Sequence, residues 1–202
     1  MADLESGRDI HLDVVFNALI FIVTAVLAVR FFRKDGKWSP DNGRAAFRFF
    51  TVQSNALCAV SALFMCVAPS AAWAWTLKYV GTAAVTVTMM TVFLFLAPSM
   101  GSLKKLLAGA DFFMHLATPL LAIISFSFLE KRGMGFGTAL LGMLPVLLYG
   151  SWYLYKVIYA PEDRRWNDFY GFNKGGKWPV SYAAMMIGGF LICMGLMALQ
   201  NA

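Results

Sequence analysis

The stretch KYVGTAAVTVTMMTVFLFLA, residues 78–97, decides the fold class of this chain. It carries a single charged side chain, and about 20 apolar residues in a helix cross a hydrocarbon core about 30 Å thick. Five further apolar runs surround it, separated by turn-forming segments rich in Gly and Pro. We expect an all-α polytopic membrane protein, a single domain whose bundle of six transmembrane helices spans residues 12–32, 47–68, 78–97, 106–129, 137–158 and 179–198.

The composition agrees with a membrane class. Of 202 residues, 59% are hydrophobic and 14% are charged, whereas soluble proteins average roughly 45–50% and 25%. The acidic start of the chain, with Asp3 and Glu5, disfavours a removable signal peptide. Three cysteines within apolar runs predict no structural disulfide. The net charge of +6 lies at the edges of apolar runs, so the expected partner is membrane lipid and not nucleic acid.

The distribution of Lys and Arg predicts the orientation of the chain, because positive loops stay on the cytoplasmic side. The opposite face of the expected bundle holds only Arg8, Lys78, Lys131 and Arg132 of the 17 basic residues. Both termini are therefore expected outside the cytoplasm. The basic residues on the expected cytoplasmic face are Arg30, Arg33, Lys34, Lys37, Arg44, Arg48, Lys104, Lys105, Lys156, Arg164, Arg165, Lys174 and Lys177.

The second apolar run opens with a dense polar patch. Residues three, four and seven apart share one face of a helix, and polar side chains within the bilayer usually face the bundle interior. The patch therefore predicts a polar stripe that faces other helices. Its members are Arg44, Arg48, Thr51, Asn55 and Cys58, with Ser54 beside them.

The fourth run holds the only histidine within a span, His115, four residues before Pro119. Proline lacks an N–H, so the His115 carbonyl loses its helical partner and a kink is expected. Asp111 lies one turn before His115 on the same face, where it could hold one imidazole nitrogen and fix the tautomer.

Thr51 and His115 are expected at one depth. At 1.5 Å per residue Thr51 lies roughly 6 Å into its span and His115 roughly 6–14 Å into its own. A hydroxyl beside an imidazole can act as nucleophile and general base. Asn55 could then donate to an oxyanion, and Arg48 could bind the acid end of a substrate. The alternatives are a back-bonded Thr51, a packing His115 and an Arg48 that snorkels to the interface.

The fifth run adds Tyr149 and Tyr153, which either form an interface belt or line a pocket for a lipid head group. The third run adds four threonines, which either bond between helices or line the same interior. The aromatic loop of residues 166–173 resembles an interfacial lid. No cofactor is expected, and two histidines far apart with no Cys/His cluster predict no metal site.

A family resemblance rests on two motifs, FFTVQSN at residues 49–55 and MHLATP at residues 114–119. Together they resemble the androgen-induced-gene family of multi-pass membrane threonine hydrolases and its bacterial-type relatives. The resemblance implies an intramembrane Thr nucleophile with a His base, at Thr51 and His115, and hydrolysis of fatty-acid esters of hydroxy fatty acids or similar lipids. Asp111, Arg48, Asn55, Ser54, Tyr149 and Tyr153 complete the expected site.

Two other functions fit parts of the sequence. A small transporter or lipid-binding membrane protein could use the same polar stripes as a substrate path. Internal repeats with matching helix breaks, which transporters commonly show, are not evident, since Pro119 and Pro145 do not occupy corresponding places. An acyltransferase could use Cys58, although nothing nearby in sequence marks that thiol as activated.

Overall fold

The computed structural model describes residues 12–202, apart from the side chains of Ser99 and Met100. The expectations about Arg8 and about a signal peptide lie outside the described residues. Within residues 12–202 the protein is all-α, with six helices long and apolar enough to span a membrane, which confirms the expected fold class. The six are Leu12–Phe31 (span 1), Phe50–Val67 (span 2), Ala72–Leu96 (span 3), Ala110–Leu129 (span 4), Phe136–Tyr159 (span 5) and Trp178–Asn201 (span 6).

Three spans begin three or more residues away from the expected start. Span 2 begins at Phe50 and not at residue 47, because Phe49 has an extended backbone. Span 4 begins at Ala110, because Gly109 has a φ of 59° and separates it from the short helix Leu103–Leu106. Span 3 begins at Ala72, six residues before the expected start, so Lys78 lies inside the helix and not at its edge.

The connection between spans 1 and 2 folds into a small hairpin and a short helix. Strands Arg33–Lys34 and Lys37–Trp38 pair antiparallel around a turn in which Asp35 has a φ of 52° and Gly36 a φ of 77°. Positive φ at both central residues is the geometry of the tight turns that join twisted strands. The helix Pro40–Ala46 then leads toward span 2. A further short helical segment, Ala97–Met100, follows span 3.

Small residues allow spans 2 and 3 to pack closely. A Cβ atom added to Gly81 would lie 2.9 Å from the Cα of Cys58, so only glycine permits this approach. Around the contact lies a buried cluster to which spans 1 to 4 all contribute. Its members are Ile20, Cys58, Ala62, Val85 and Ala122.

The kink expected near Pro119 takes the form of a π-helical turn, Phe113–Ala117, which contains His115. The Thr118 N–H bonds to the Phe113 carbonyl, five residues earlier. This wider turn is one way in which a helix accommodates a proline that cannot donate, and such turns are frequent at functional sites. Three other π-helical turns occur among the described residues, Val92–Leu96, Ser125–Leu129 and Tyr155–Tyr159.

A buried polar network joins spans 1, 3 and 4 at the end of the bundle opposite Thr51. Lys78 is 0% exposed, and its Nζ donates to Asn17 Oδ1 at 2.5 Å. Asn17 Nδ2 donates to Glu130 Oε1 at 2.5 Å, and the Ser125 hydroxyl donates to the same oxygen at 2.7 Å. Lys78 was expected as the first residue of its span, at the edge of the bundle where basic residues meet lipid head groups. That expectation was wrong, because the helix extends past it and Asn17 satisfies it within the bundle.

Candidate functional site

Thr51 stands at the second position of span 2 and is half-buried. Its carbonyl accepts from Asn55 Nδ2 at 2.8 Å and from the Ser54 hydroxyl at 3.1 Å. Ser54 also lies 2.8 Å from the Thr88 hydroxyl on span 3. Among the described residues, the Thr51 hydroxyl makes no bond back to a helix carbonyl. The alternative role expected for Thr51 was a hydrogen bond from its hydroxyl to a carbonyl one turn earlier. Ser54 makes a bond of this kind instead, to the Thr51 carbonyl.

Asn55 connects the Thr51 turn to span 4. Its Nδ2 donates both to the Thr51 carbonyl and, at 3.1 Å, to the carbonyl of Met114, the residue before His115. An amide NH₂ has two hydrogens, so both donors of Asn55 are in use. Asn55 therefore has no free hydrogen to donate to an oxyanion in this arrangement, contrary to expectation. Its Oδ1 is buried without a partner among residues 12–202.

His115 is buried, and its Nδ1 lies 2.7 Å from the carbonyl oxygen of Leu106. A carbonyl only accepts hydrogen bonds, so Nδ1 carries the hydrogen and Nε2 of the neutral ring has the free lone pair. The Asp111 carboxylate is exposed and makes no hydrogen bond or ion pair with any described residue. The backbone of Leu106, and not Asp111 as expected, orients the imidazole.

Thr51 on span 2 and His115 on span 4 each lie within about one turn of a contact between these two spans. The bond from Asn55 to the Met114 carbonyl fixes that neighbourhood. No hydrogen bond joins the Thr51 hydroxyl to the His115 ring in the part of the chain that the structure describes. Catalytic hydrogen bonds are often long or absent without substrate and tighten in the reacting complex.

Arg48 and Tyr149 meet at the start of span 2. The Tyr149 hydroxyl donates to the Arg48 carbonyl at 2.7 Å. The Arg48 side chain is exposed, and its guanidinium carbon lies 5.8 Å from the centre of the Trp166 ring. The backbone and the side chain of Arg48 therefore have different partners.

Tyr153 was expected to contact substrate, but its side chain, on span 5, is buried against the loop that follows that span. Its hydroxyl donates to Asp168 Oδ1 at 2.9 Å and accepts from the Tyr170 N–H at 3.2 Å. Asp168 also accepts from the N–H groups of Phe172 and Asn173, at 2.8 and 2.7 Å. This arrangement favours a structural role for Tyr153, which holds the loop together.

The loop delivers Tyr170, a residue that sequence reasoning missed, to the Thr51 end of span 2. The Tyr170 hydroxyl accepts from the Phe50 N–H at 3.0 Å. Burial raises the pKa of Tyr170, and this effect outweighs the opposing hydrogen bonds with Phe50, Tyr149 and Thr51. Its hydroxyl therefore stays protonated at neutral pH and lies next to the Thr51 side chain. The aromatic loop was noted as a lid, but no sequence signal singled out this tyrosine.

A cleft of about 360 Å³ lies between spans 2, 3 and 5, next to this group of hydroxyls. Polar groups of Gln53, Ser54 and Tyr149 stand among a lining that is otherwise apolar. Leu148 on its rim is 68% exposed, so the cleft opens at the side of the bundle, where lipid surrounds a membrane protein. The apolar lining residues are Phe50, Leu57, Val80, Leu144, Pro145 and Leu148.

Cys58 lies one turn beyond Asn55 and is completely buried between spans. A thiol without access to substrate does not favour the acyltransferase alternative. Among residues 12–202, no three His, Cys, Asp or Glu side chains come together as a metal site would require. Comparison of the chain with protein-family models, curated proteins and solved structures found no match in any of the three.

Proposed function

We propose that this protein is an intramembrane lipid-ester hydrolase in which Thr51 is the nucleophile and His115 the general base. The observation that carries the proposal is the bond from His115 Nδ1 to the Leu106 carbonyl, at 2.7 Å. This bond leaves Nε2 as the nitrogen able to take a proton. His115 is buried and directly follows Met114, whose carbonyl accepts from the same Asn55 side chain that donates to the Thr51 carbonyl. A base whose orientation is fixed by a third group is the usual partner of a hydroxyl nucleophile.

The proposed reaction runs in two halves. Thr51 Oγ1 attacks the ester carbonyl carbon while His115 Nε2 takes its proton, and the tetrahedral intermediate collapses as the imidazolium protonates the leaving alcohol. Water then attacks the acyl-Thr51 ester with Nε2 again as base. Collapse of the second intermediate releases the fatty acid and returns the proton to Thr51.

Tyr170 is the proposed donor to the developing oxyanion. The Asn55 hydrogens are both engaged, whereas the neutral hydroxyl of Tyr170 lies beside Thr51 on a loop held by Asp168. One such donor contributes roughly 3–4 kcal/mol to the transition state where this has been measured. The apolar cleft beside Tyr149 would hold the acyl chain of a lipid that approaches sideways from the bilayer.

The proposed orientation places both termini on the non-cytoplasmic side. Because Lys78 is buried, Lys131 and Arg132 are the exposed basic residues on that side among residues 12–202. The thirteen basic residues that the sequence analysis assigns to the opposite end support this orientation. The proposed site then lies near the cytoplasmic leaflet, since Thr51 follows the basic loop between spans 1 and 2.

A small transporter or lipid-binding protein is the second candidate. The buried network of Lys78, Asn17 and Glu130 favours it, since ionisable residues within a membrane often mark substrate or ion paths. The lack of a direct hydrogen bond between Thr51 and His115 in the described residues also agrees with it. In such a protein the two side chains would contribute separately to binding.

A covalent probe distinguishes the two candidates. Purified protein is treated with a lipid-like fluorophosphonate, and ester hydrolysis is measured for Thr51→Ala, His115→Ala and the double variant. A hydrolase forms an adduct on Thr51. Loss of the general base in His115→Ala should lower hydrolysis roughly 10²–10⁴-fold. Thr51→Ala and the double variant should lose hydrolysis to a similar extent, because the two residues act as a unit. The matched control is Thr76→Ala, whose exposed hydroxyl bonds to the Ala72 carbonyl at the other end of the bundle. The absence of an adduct, or losses equal to the control, would refute the proposal.

A further inference from the structure

Trp166 has two cationic side chains near its ring, at the end of the bundle that carries Thr51. The Arg48 guanidinium carbon is 5.8 Å from the centre of its ring, and Lys156 Nζ is 5.9 Å from the same centre. Lys156 Nζ also lies 5.1 Å from the ring of Trp152. Two cationic side chains, one from the turn before span 2 and one from span 5, thus lie near one indole ring. We call Arg48 and Lys156 the cation pair.

No carboxylate within residues 12–202 neutralises the cation pair. The ion pairs found among these residues are Arg44 with Asp41 and Arg164 with Asp163, and neither includes Arg48 or Lys156. Asp168, the carboxylate two residues after Trp166, is hydrogen-bonded to Tyr153, Phe172 and Asn173. Two positive charges near one ring, without an acidic partner among these residues, complement an anion from outside the chain.

The cation pair lies directly beyond the apolar cleft. Lys156 follows Tyr149 by seven residues on one face of span 5, a rise of roughly 10 Å. Arg48 lies just before span 2 and two residues before the cleft residue Phe50, and the Arg48 carbonyl accepts from the Tyr149 hydroxyl at 2.7 Å. Thr51 follows Phe50 on span 2, at the end of the cleft nearer the cation pair. A molecule with an anionic head and an apolar tail would therefore place the atoms between head and tail near Thr51.

We propose that the cation pair binds the phosphate of a membrane glycerolipid whose acyl chain occupies the cleft. The proposal rests on the proposed hydrolase function and names its substrate class, an ester lipid with a terminal phosphate. A phosphate monoester carries roughly two negative charges at neutral pH, which matches Arg48 and Lys156, whereas a fatty-acid carboxylate carries one. Trp152 and Trp166 hold the cations at the depth of the head groups, where indole rings prefer to lie.

The test uses the full chain with Thr51→Ala, so that bound lipid is not consumed. Binding of fluorescent phosphatidic acid in detergent is compared with binding of a diacylglycerol with the same acyl chains and of soluble glycerol phosphate. We expect phosphatidic acid to bind most tightly. Arg48→Gln and Lys156→Gln should each weaken its binding roughly fivefold, and together roughly 25-fold, from the usual contribution of a cation near an anionic lipid. Lys174→Gln, an exposed cation of the same loop without an indole contact, is the matched control and should change binding little.

The binding measurements can overturn the phosphate proposal in several ways. Equal binding of diacylglycerol, or losses in the two variants no larger than in the control, would overturn it. Tight binding of glycerol phosphate alone would assign the cation pair to a soluble phosphate and overturn the lipid assignment. Thermal unfolding of each variant shows whether it is folded. Phosphatidic acid that binds to the cation pair while the chain with Thr51 intact hydrolyses no ester would refute the hydrolase and leave the phosphate site standing.

Discussion

Replacing Lys78 by methionine tests what the buried network contributes to stability. Lys78→Met keeps a long unbranched side chain but removes the ammonium that donates to Asn17. The Glu130 carboxylate then stays buried, bonded to Asn17 and Ser125, with no positive charge in the network. Removing one member of a buried charge pair typically costs about 3–5 kcal/mol, because the other charge is left uncompensated. The lost charge-assisted hydrogen bond, typically about 1.5–3 kcal/mol, is part of that loss.

The assay is thermal unfolding of the purified protein in detergent. For a chain of this length, 1 kcal/mol shifts Tm by roughly 2–4 °C, so Lys78→Met should lower Tm by roughly 6–20 °C. Lys131→Met is the control, since it removes an exposed cation from the same end of the bundle. The double variant Lys78→Met with Glu130→Gln should recover much of the loss, because it leaves no unmatched charge.

Four Tm values, with Glu130→Gln alone measured beside the other three variants, can refute this reasoning. A Lys78→Met variant as stable as Lys131→Met would show that the ammonium contributes nothing beyond its volume. A double variant that loses the sum of the two single losses would show that Lys78 and Glu130 are not energetically coupled through Asn17.

Three further predictions concern the proposed site and the orientation. Asp111→Asn should leave ester hydrolysis within about twofold, because the Leu106 carbonyl and not Asp111 holds His115; a large loss of kcat would contradict this. Tyr170→Phe should lower kcat roughly 10²-fold without a matching loss of Tm, as expected for a transition-state donor, and an unchanged kcat would remove Tyr170 from the mechanism. A reporter that works only outside the cytoplasm should be active when fused to Ala202. Activity of a reporter that works only in the cytoplasm would show that the proposed orientation is wrong.

The six spans could be predicted because each depends on a property that sequence displays directly, a run of apolar residues of membrane length. The start of span 3 could not. In the sequence, Lys78 marks the edge of an apolar run. The helix nevertheless begins six residues earlier, because Asn17, far away in sequence on span 1, accepts a hydrogen bond from the buried ammonium. A charged residue inside a span is therefore easily mistaken for the end of that span when its partner is far away in sequence.

In the candidate site, too, some features could be predicted from the sequence and others could not. Helical periodicity placed Thr51 and Asn55 on one stripe, and Asn55 does face span 4. The partner of His115 is a backbone carbonyl, which every residue carries, so its position depends on the path of the chain after Gly109 and not on side-chain identity. Tyr170 reaches span 2 through a loop of irregular backbone, for which no periodic pattern exists.

The network around Lys78 also has a consequence for how the chain is assembled in the membrane. Span 3 leaves the insertion machinery before span 4, and Glu130 follows Lys78 by 52 residues. Until then Lys78, roughly 9 Å from the start of its helix, would extend its ammonium to the nearby head groups. Asn17 is available earlier, on span 1. We expect the early bundle to settle only when span 4 arrives, so a nascent chain that ends before Glu130 should be recognised by the quality-control proteases that remove incomplete membrane proteins.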